Sequence, residues 1–225
     1  MKDKFRNLFS KKESYYEPDK DSFQGQKLSP QDEIKRLKKE NEKLKADMTK
    51  AGVEMFKTRR SIRKFSDRPV EWKLLYDIAE GAMNAPCAGN VQNYKIILVE
   101  DKSMRAELGK LAFQQYWLSD APAVMVVTRD NYHLCELYPN EGKTYAIQNT
   151  AALIENILMI AHFYGLGACW VEAYDNEVLK EHLGIPGELT VDAIIPIGYP
   201  LENPSVVKDP MMQHMFFEKY GNKKR

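Results

Sequence analysis

The feature that most constrains this fold is a long segment, residues 145–163, in which 13 of 19 positions are apolar or aromatic. Its isoleucines, leucines and alanines leave almost no polar face, which predicts one long helix that ends at Gly165, a residue typical of helix C-terminal caps. A helix that is apolar all round must be covered on every side. The chain must therefore build a domain around this helix, or share the helix with a second subunit.

Apolar segments before and after this helix alternate between the strand pattern and the helix pattern. Strands are predicted at residues 96–99, 123–128, 168–171 and 191–197, and further helices at 71–84, 103–116 and 176–183. Such alternation predicts an α/β (α+β) domain, and the pattern leaves open whether neighbouring strands run parallel or antiparallel. With 225 residues, of which 44% are hydrophobic, the chain has room for one such domain and an appendage.

The composition argues against several classes of protein. Lysine and arginine (33) nearly balance aspartate and glutamate (32), which is unlike a general nucleic-acid-binding protein. The three cysteines form no CxxC pair and the four histidines show no ligand spacing, so neither a disulfide framework nor a metal site is predicted. No apolar run reaches the about 18–20 residues that span a bilayer, and the start lacks the pattern of a signal peptide, so a cytoplasmic location is expected.

The chain before the domain is predicted to have two parts. Residues 1–28 are polar and contain proline and glycine, which predicts a flexible tail. Within it, Phe5, Leu8 and Phe9 stand among basic side chains, so a weak contact of residues 1–12 with a membrane surface is an alternative to a solvated tail. Residues 29–52 are the second part, a helix that begins with a capping-box pattern at Ser29 and Asp32.

The apolar stripe of this second part has the spacing of a coiled coil. Its a and d positions, at alternating intervals of three and four, are Ile34, Leu37, Asn41, Leu44 and Met48, with Ala51 and Met55 as an extension. Asn41 at an a position favours a parallel, two-stranded pair. Acidic g positions would meet basic e positions of a second copy: Glu33 and Glu40 opposite Lys38 and Lys45. A single solvated helix lying on the domain is the alternative.

A basic segment, Arg-Arg-Ser-Ile-Arg, follows this helix at residues 59–63. Guanidinium groups are planar and permanently charged, and they bind phosphate through paired hydrogen bonds. Taken alone, the segment is a basic surface turn. Its meaning depends on three segments further along the chain.

Together the four segments resemble the nitroreductase family, FMN enzymes that act as dimers. They are Arg-Arg-Ser-Ile-Arg at 59–63, Ala-Pro-Cys-Ala-Gly-Asn-Val-Gln at 85–92, Gly-Leu-Gly-Ala-Cys-Trp-Val-Glu-Ala-Tyr-Asp at 165–175 and Ile-Pro-Ile-Gly-Tyr-Pro at 195–200. The resemblance implies a nitroreductase-like mixed sheet flanked by helices, over residues 53–225. The methionines and phenylalanines within residues 211–225 would promote aggregation if they were exposed. We therefore expect this C-terminal arm to wrap a neighbouring subunit.

The resemblance also implies roles for the basic residues. Arg59, Arg60 and Ser61 would hold the phosphate and ribityl chain of FMN, joined by Lys208. Arg63 would face the N1/O2 edge of the isoalloxazine ring, where a cation stabilises the negative charge of the reduced flavin.

Two further groups are implied to lie against the flavin. The first belongs to the partner subunit and consists of Pro86, Cys87, Ala88 and Asn90, with Gln92 nearby. The second is the backbone around Glu172 and Ala173, which would meet flavin N5 and O4.

The implied function is that of an FMN-dependent oxidoreductase working as a homodimer. NADH or NADPH would donate hydride, and an electron-poor acceptor such as a nitroaromatic or a quinone would take the electrons, so no catalytic side chain is predicted. Two alternatives stay open. One is a flavin-binding or coiled-coil interaction module without turnover, and the other is a related enzyme of the same fold that dehalogenates its substrate reductively or cleaves the flavin.

Overall fold

The computed structural model describes residues 29–223, and the chain divides into two compact units between Lys50 and Ala51. The predicted tail, residues 1–28 with the alternative membrane contact of residues 1–12, lies outside the described residues. No helix in the described part of the chain is long and apolar enough to cross a membrane.

Helix α1 (Pro30–Thr58) begins where the capping pattern predicts. The Oγ of Ser29 accepts a hydrogen bond from the backbone N–H of Asp32 at 3.2 Å, and its hydroxyl donates to the Asp32 carboxylate at 2.6 Å. The helix continues past the predicted end at residue 52, although a helical glycine such as Gly52 costs about 1 kcal/mol. Its last residue, Thr58, is held by a hydrogen bond of 3.0 Å between its Oγ1 and Nε2 of His162. This tertiary contact extends the helix, and the local sequence does not reveal it.

The second unit is built on a four-stranded sheet. Its strands are β1 (Tyr94–Val99), β2 (Ala123–Arg129), β3 (Gly167–Ala168) and β4 (Thr190–Gly198). They lie in the order β1-β2-β4-β3, and each neighbouring pair is antiparallel. A parallel bridge between Ser61 and Ala168 adds the basic segment to the β3 edge, so the pairing of the whole layer is mixed, as expected.

All four predicted strands are present, but the third is shorter than residues 168–171. Its ladder with β4 stops after Ala168 and resumes as a single bridge between Val171 and Ile194, in the same register. An apolar pattern identifies the residues that are buried, but it does not show which backbone groups pair.

Six further helices complete the described structure: α2 (Trp72–Ala82), α3 (Lys102–Leu111), α4 (Tyr132–Leu137), α5 (Gly142–Phe163), α6 (Asn176–Leu183) and α7 (Met211–His214). Helix α6 has the predicted bounds and ends at Gly184, whose φ of 64° is left-handed. Helix α3 stops short of the predicted residue 116, because Phe113 and Gln114 adopt positive φ angles of 52° and 63°. The short helix α4 was not predicted.

The sheet packs between two layers of helices. On one face, Met125 of β2 and Leu153 of α5 belong to a buried cluster that also includes α2. On the other face, Val126 of β2 and Leu108 of α3 belong to a second cluster that also includes α6. Successive residues of β2 thus point to opposite layers, as the period of a strand requires.

Helix α5, the long apolar helix, has apolar side chains that the described part of the chain leaves exposed. Its inner residues Leu153, Ile157 and Ala161 are fully buried. By contrast, Ile147 and Phe163 are 51% and 58% exposed. Gln148 and Glu155 are exposed as well, so the exposed side of α5 is mixed rather than apolar all round. A second subunit stays the prediction of the sequence analysis for the cover of its apolar residues.

Candidate active site

The basic segment is fixed to the sheet by main-chain pairing. The backbone N–H of Ile62 donates to the carbonyl of Ala168 at 3.0 Å, next to the Ser61–Ala168 bridge. Beside it, a Cβ added to Gly167 would lie only 2.8 Å from Cβ of Ile62. The approach of the two segments therefore depends on a glycine in β3, and it places Ser61 and its neighbours at the sheet edge.

A carboxylate that the sequence analysis missed holds the other side of the segment. Glu202 Oε1 accepts hydrogen bonds from the backbone N–H groups of Arg63, at 2.6 Å, and Lys64, at 3.2 Å. The backbone N–H of Leu201 in turn donates to the carbonyl of Lys64 at 2.9 Å. The only available signal was an acidic residue two positions after the Gly-Tyr-Pro motif at 198–200, which does not reveal a contact so distant in sequence.

The three arginines of the segment make different contacts. Nη1 of Arg60 donates to the carbonyls of Lys57 and Arg59, both at 2.6 Å, and its Nε donates to the carbonyl of Pro204 at 3.2 Å. Within residues 29–223, the side chain of Arg59 has only a long ion pair, 3.9 Å from its Nε to Oε1 of Glu155. Arg60 is thus largely committed to main-chain carbonyls, whereas Arg59 retains hydrogen-bonding capacity.

The guanidinium group of Arg63 lies over an aromatic ring, with Cζ 5.8 Å from the ring centre of Trp117. Within residues 29–223 its side chain makes no hydrogen bond or ion pair. A guanidinium stacked on an aromatic face keeps its N–H donors available at the edge of the group. Arg63 can therefore present a positive charge to a ligand.

Cys169, the residue after β3, is buried. Burial raises the pKa of its thiol, while the positive charges of Arg63 and Arg59 partly oppose that rise. The thiol is therefore neutral at physiological pH and is suited to packing rather than to nucleophilic attack.

A second group of predicted residues forms a polar loop around the short turn Ala88–Asn90. Gly89 and Asn90 have left-handed φ angles of 59° and 56°, which make the turn sharp. Nε2 of Gln92 donates to the carbonyl of Asn90 at 2.8 Å and contacts Sγ of Cys87 at 3.5 Å. Pro86 at the start of the loop is exposed. These contacts bring the predicted residues of this loop together.

Asn149, near the start of α5, anchors this loop and was not predicted as a site residue. Its Oδ1 accepts from the backbone N–H of Ala88 at 2.8 Å, and its Nδ2 donates to the carbonyl of Val91 at 3.2 Å and to Oδ1 of Asn93 at 3.0 Å. The signal available was a polar run, Gln148-Asn149-Thr150, at the start of a largely apolar helix, and it does not single out Asn149. A buried amide on such a helix needs polar partners, and the loop supplies them.

The third predicted group, Glu172 and Ala173, follows the bridge of Val171 with β4 and is exposed. The carbonyl of Ala173 accepts a hydrogen bond from Nε2 of Gln115 at 3.1 Å. The next residue, Tyr174, is anchored by its hydroxyl, which donates to the carbonyl of Val191 at 3.0 Å, and burial raises its pKa. The strand end that carries Glu172 and Ala173 is therefore held on both sides.

The structure joins some of the predicted residues and separates others. The basic segment pairs with β3, and the segment that follows β3 leads through the Val171 bridge to Glu172 and Ala173. The polar loop is instead held by α5. Within residues 29–223, no hydrogen bond or ion pair connects the loop with the basic segment. Lys208 is exposed and likewise makes no such contact in that part of the chain. The predicted residues in the described part of the chain thus form two separate groups, the basic segment with the β3 edge and the polar loop.

These features define an α+β protein in which a basic segment completes one sheet edge. The chain belongs to the nitroreductase family, because the sequence model of that family matches its residues 56–138 and 111–199. It is therefore a member of a family of oxidoreductases. Most of helix α1 precedes the matched region.

Named relatives agree with this assignment. A protein of Archaeoglobus fulgidus, provisionally named an NADH dehydrogenase/NAD(P)H nitroreductase, is 35% identical over 152 residues, which cover 66% of this chain and 84% of that protein. The NADH dehydrogenase of Thermus thermophilus is 31% identical, over 64% of this chain and 84% of its own length. Among solved structures, an FMN-dependent nitroreductase from Clostridium difficile has 26% sequence identity with this chain. The two superpose with a TM-score of 0.64, over 74% of this chain and 98% of that chain.

Proposed function

We propose that this protein is an FMN-dependent oxidoreductase that passes electrons from NAD(P)H to an electron-poor acceptor such as a nitroaromatic or a quinone, and that it works as a homodimer. The observation that carries the proposal is the basic segment at the β3 edge, where Arg59 and Arg63 retain donors for an anionic ligand. The Clostridium difficile relative, an FMN-dependent nitroreductase by name, supports the choice of cofactor.

The donor set fits a phosphate ester. Arg59 and Ser61 offer a guanidinium and a hydroxyl two positions apart on one extended segment, a combination that binds phosphate oxygens. Arg60 would contribute mainly by holding the main chain through Lys57 and Pro204. Lys208 is assigned to the phosphate by the family resemblance alone.

Bound FMN would supply hydride acceptance from NAD(P)H and electron transfer to the acceptor. The chain's own contribution is to bind, orient and bias the ring. Arg63, held over Trp117 and fixed through its backbone by Glu202, would place a cation beside the ring edge that becomes negative on reduction. The main chain at Glu172 and Ala173 would approach the ring, since these residues are exposed and held by Gln115.

The polar loop would complete the site from a second subunit. It is separate from the basic segment within the described chain, so Pro86, Cys87, Ala88, Asn90 and Gln92 would meet the flavin of the partner. The uncovered face of α5 around Ile147 supports such an assembly.

An unsatisfied polar atom also supports a ligand or a partner. Nε1 of Trp170 is buried and has no hydrogen-bond partner within residues 29–223. An unpaired buried N–H costs about 1–3 kcal/mol. An acceptor on a bound cofactor or a second subunit would remove that cost.

The absorbance spectrum of the purified protein tests the proposal. We expect flavin bands that bleach anaerobically with NADH or NADPH and return when a quinone is added. Arg59→Glu should weaken FMN binding by at least tenfold, about 1.4 kcal/mol. Lys57→Glu, a charge reversal of an exposed residue two positions away, is the matched control and should bind FMN normally.

Two results would contradict the proposal in different ways. Colourless protein that cannot be reconstituted with FMN would exclude a flavoprotein. Bound FMN that neither nicotinamide donor reduces would instead indicate a flavin-binding module without this turnover.

A further inference from the structure

We infer that helix α1 is an interaction surface for a second copy of this chain, with which it forms a parallel, two-stranded coiled coil between residues 34 and 48. This surface precedes the region matched by the nitroreductase family, which starts at residue 56. The inference therefore goes beyond the proposed function, and it does not depend on the cofactor.

The apolar stripe of α1 is not covered by any other part of residues 29–223. Ile34, Leu37 and Leu44 are 53%, 49% and 54% exposed, and Met48 is 71% exposed. No residue of the helix is buried. Together with Asn41, these four side chains lie along one line, because the spacing of the five positions alternates between three and four residues. A continuous apolar stripe on a solvated helix marks an interaction surface.

The stripe changes character where the second unit begins. Ala51 and Met55 continue the same spacing, but both are partly buried in the second unit, so they are not part of the free seam. The seam from Ile34 to Met48 is about 22 Å long at 1.5 Å per residue. A coiled coil of this length is marginal alone, and attachment to two domains that also associate would raise its effective concentration.

The flanking charges select the orientation of the partner. All three g positions are acidic (Glu33, Glu40, Asp47), and the e positions Lys38 and Lys45 are basic. In a parallel pair, g positions of one helix face e positions of the other, so opposite charges meet. In an antiparallel pair, g would face g and e would face e, so like charges would meet. The charge pattern therefore favours a parallel pair.

The same pattern identifies the partner as a second copy. Acidic and basic flanks occur on one helix, so the surface is complementary to itself. In a parallel, in-register pair, the two copies of Asn41 face each other at an a layer and can hydrogen-bond there, whereas an apolar partner residue would leave the amide unpaired.

Disulfide trapping in the full-length chain tests this inference. Leu37→Cys places a thiol at a d position of the seam, and Lys39→Cys places one on the outer face of the same helix. Under mild oxidation we expect Leu37→Cys chains to form an intermolecular disulfide between the two copies of position 37, identified by mass spectrometry so that the native cysteines do not interfere. The matched control Lys39→Cys should give at least tenfold less of the corresponding product.

Mixing variants tests the orientation. When Leu37→Cys and Met48→Cys chains are unfolded and refolded together, a parallel coil predicts that 37–37 and 48–48 disulfides form and that 37–48 disulfides do not. A dominant 37–48 product would overturn the parallel arrangement. Equal trapping at Leu37→Cys and Lys39→Cys would show proximity without a seam, and absence of the 37–37 product would also overturn the inference.

The result is independent of the proposed function. Trapping at position 37 in a protein that binds no FMN would sustain the coil and contradict the flavoprotein. A yellow, active dimer that gives no disulfide at position 37 would support the flavoprotein and contradict the coiled coil.

Discussion

Arg60 and Arg63 are three residues apart, yet the structure separates their roles. Arg60 donates three hydrogen bonds to main-chain carbonyls and thereby fixes the shape of the basic segment. Among the residues that the structure describes, Arg63 is held by stacking on Trp117 and by the contact of its backbone with Glu202. A substitution of Arg60 should therefore disturb the segment, whereas a substitution of Arg63 should act mainly on the charge presented to a ligand.

The prediction at this scale concerns Arg63→Ala. Removing a cation beside the reduced ring should lower the two-electron midpoint potential of bound FMN by about 20–60 mV, the equivalent of about 1–3 kcal/mol. Spectroelectrochemical titration measures the change. Lys64→Ala is the matched control, since it removes an exposed charge from the next position and should leave the potential within about 10 mV. Equal potentials in the Arg63 variant and the parent would remove Arg63 from this role.

The sequence could predict the residues that offer charge, but not those that position them. Arg59, Ser61 and Arg63 form a compact pattern of donors within five positions. Glu202 and Asn149 act on segments far away in sequence, by accepting hydrogen bonds from backbone N–H groups. A lone glutamate or asparagine carries no local signal for such a contact, because any exposed loop could use it equally well.

At the scale of elements, the contact between the basic segment and β3 depends on Gly167. A methyl group at this position would lie 2.8–2.9 Å from three side-chain atoms of Ile62, too close without a shift. We predict that Gly167→Ala lowers the free energy of unfolding by about 1–3 kcal/mol and weakens FMN binding, because the segment carrying Ser61 must move. Urea unfolding and flavin titration measure the two effects.

Gly187→Ala is the control for this prediction, since a Cβ there meets no atom within 4 Å. It should change both quantities little. Equal behaviour of the two variants would mean that the β3 edge tolerates displacement of the basic segment.

Elements with a strong apolar period were predictable, and their ends were less so. Helix α6 has both predicted ends because Gly184 provides a left-handed cap. Helix α3 ends early at residues with no such signal: Phe113 and Gln114 are non-glycine residues that adopt positive φ. Helix α1 extends through Gly52 because Thr58 contacts His162. Both deviations are set by tertiary context, which outweighs local propensity.

At the scale of the whole molecule, the C-terminal arm is organised but unattached. Nζ of Lys223 donates to the carbonyls of Met212 and Gln213, both at 2.8 Å, and Phe216 packs on Tyr220 with ring centres 4.5 Å apart. Within the described residues, positions 205–223 make no hydrogen bond with the rest of the chain. Met211 and Met212 are 66% and 58% exposed. A partner surface is the expected cover for them.

We predict that deleting residues 211–225 weakens dimerisation by at least tenfold, about 1.4 kcal/mol, because burial of even one methionine is worth about that much. Sedimentation equilibrium measures the dissociation constant. Lys219→Ala, which alters the polar side of the same arm, should leave it nearly unchanged. A dimer of undiminished stability after the deletion would contradict the role of the arm in assembly.

Helix α5 supports both groups of predicted site residues in one chain, the polar loop and the basic segment. Asn149 near its start holds the polar loop, and His162 near its end holds the residue before the basic segment. These two anchors are about 20 Å apart along the helix axis. In the proposed dimer, each chain therefore gives its loop to one site and its basic segment to the other. A chain altered only in its basic segment and a chain altered only in its loop would then form one intact site when they pair, a complementation between two damaged copies that a site built from a single chain could not give.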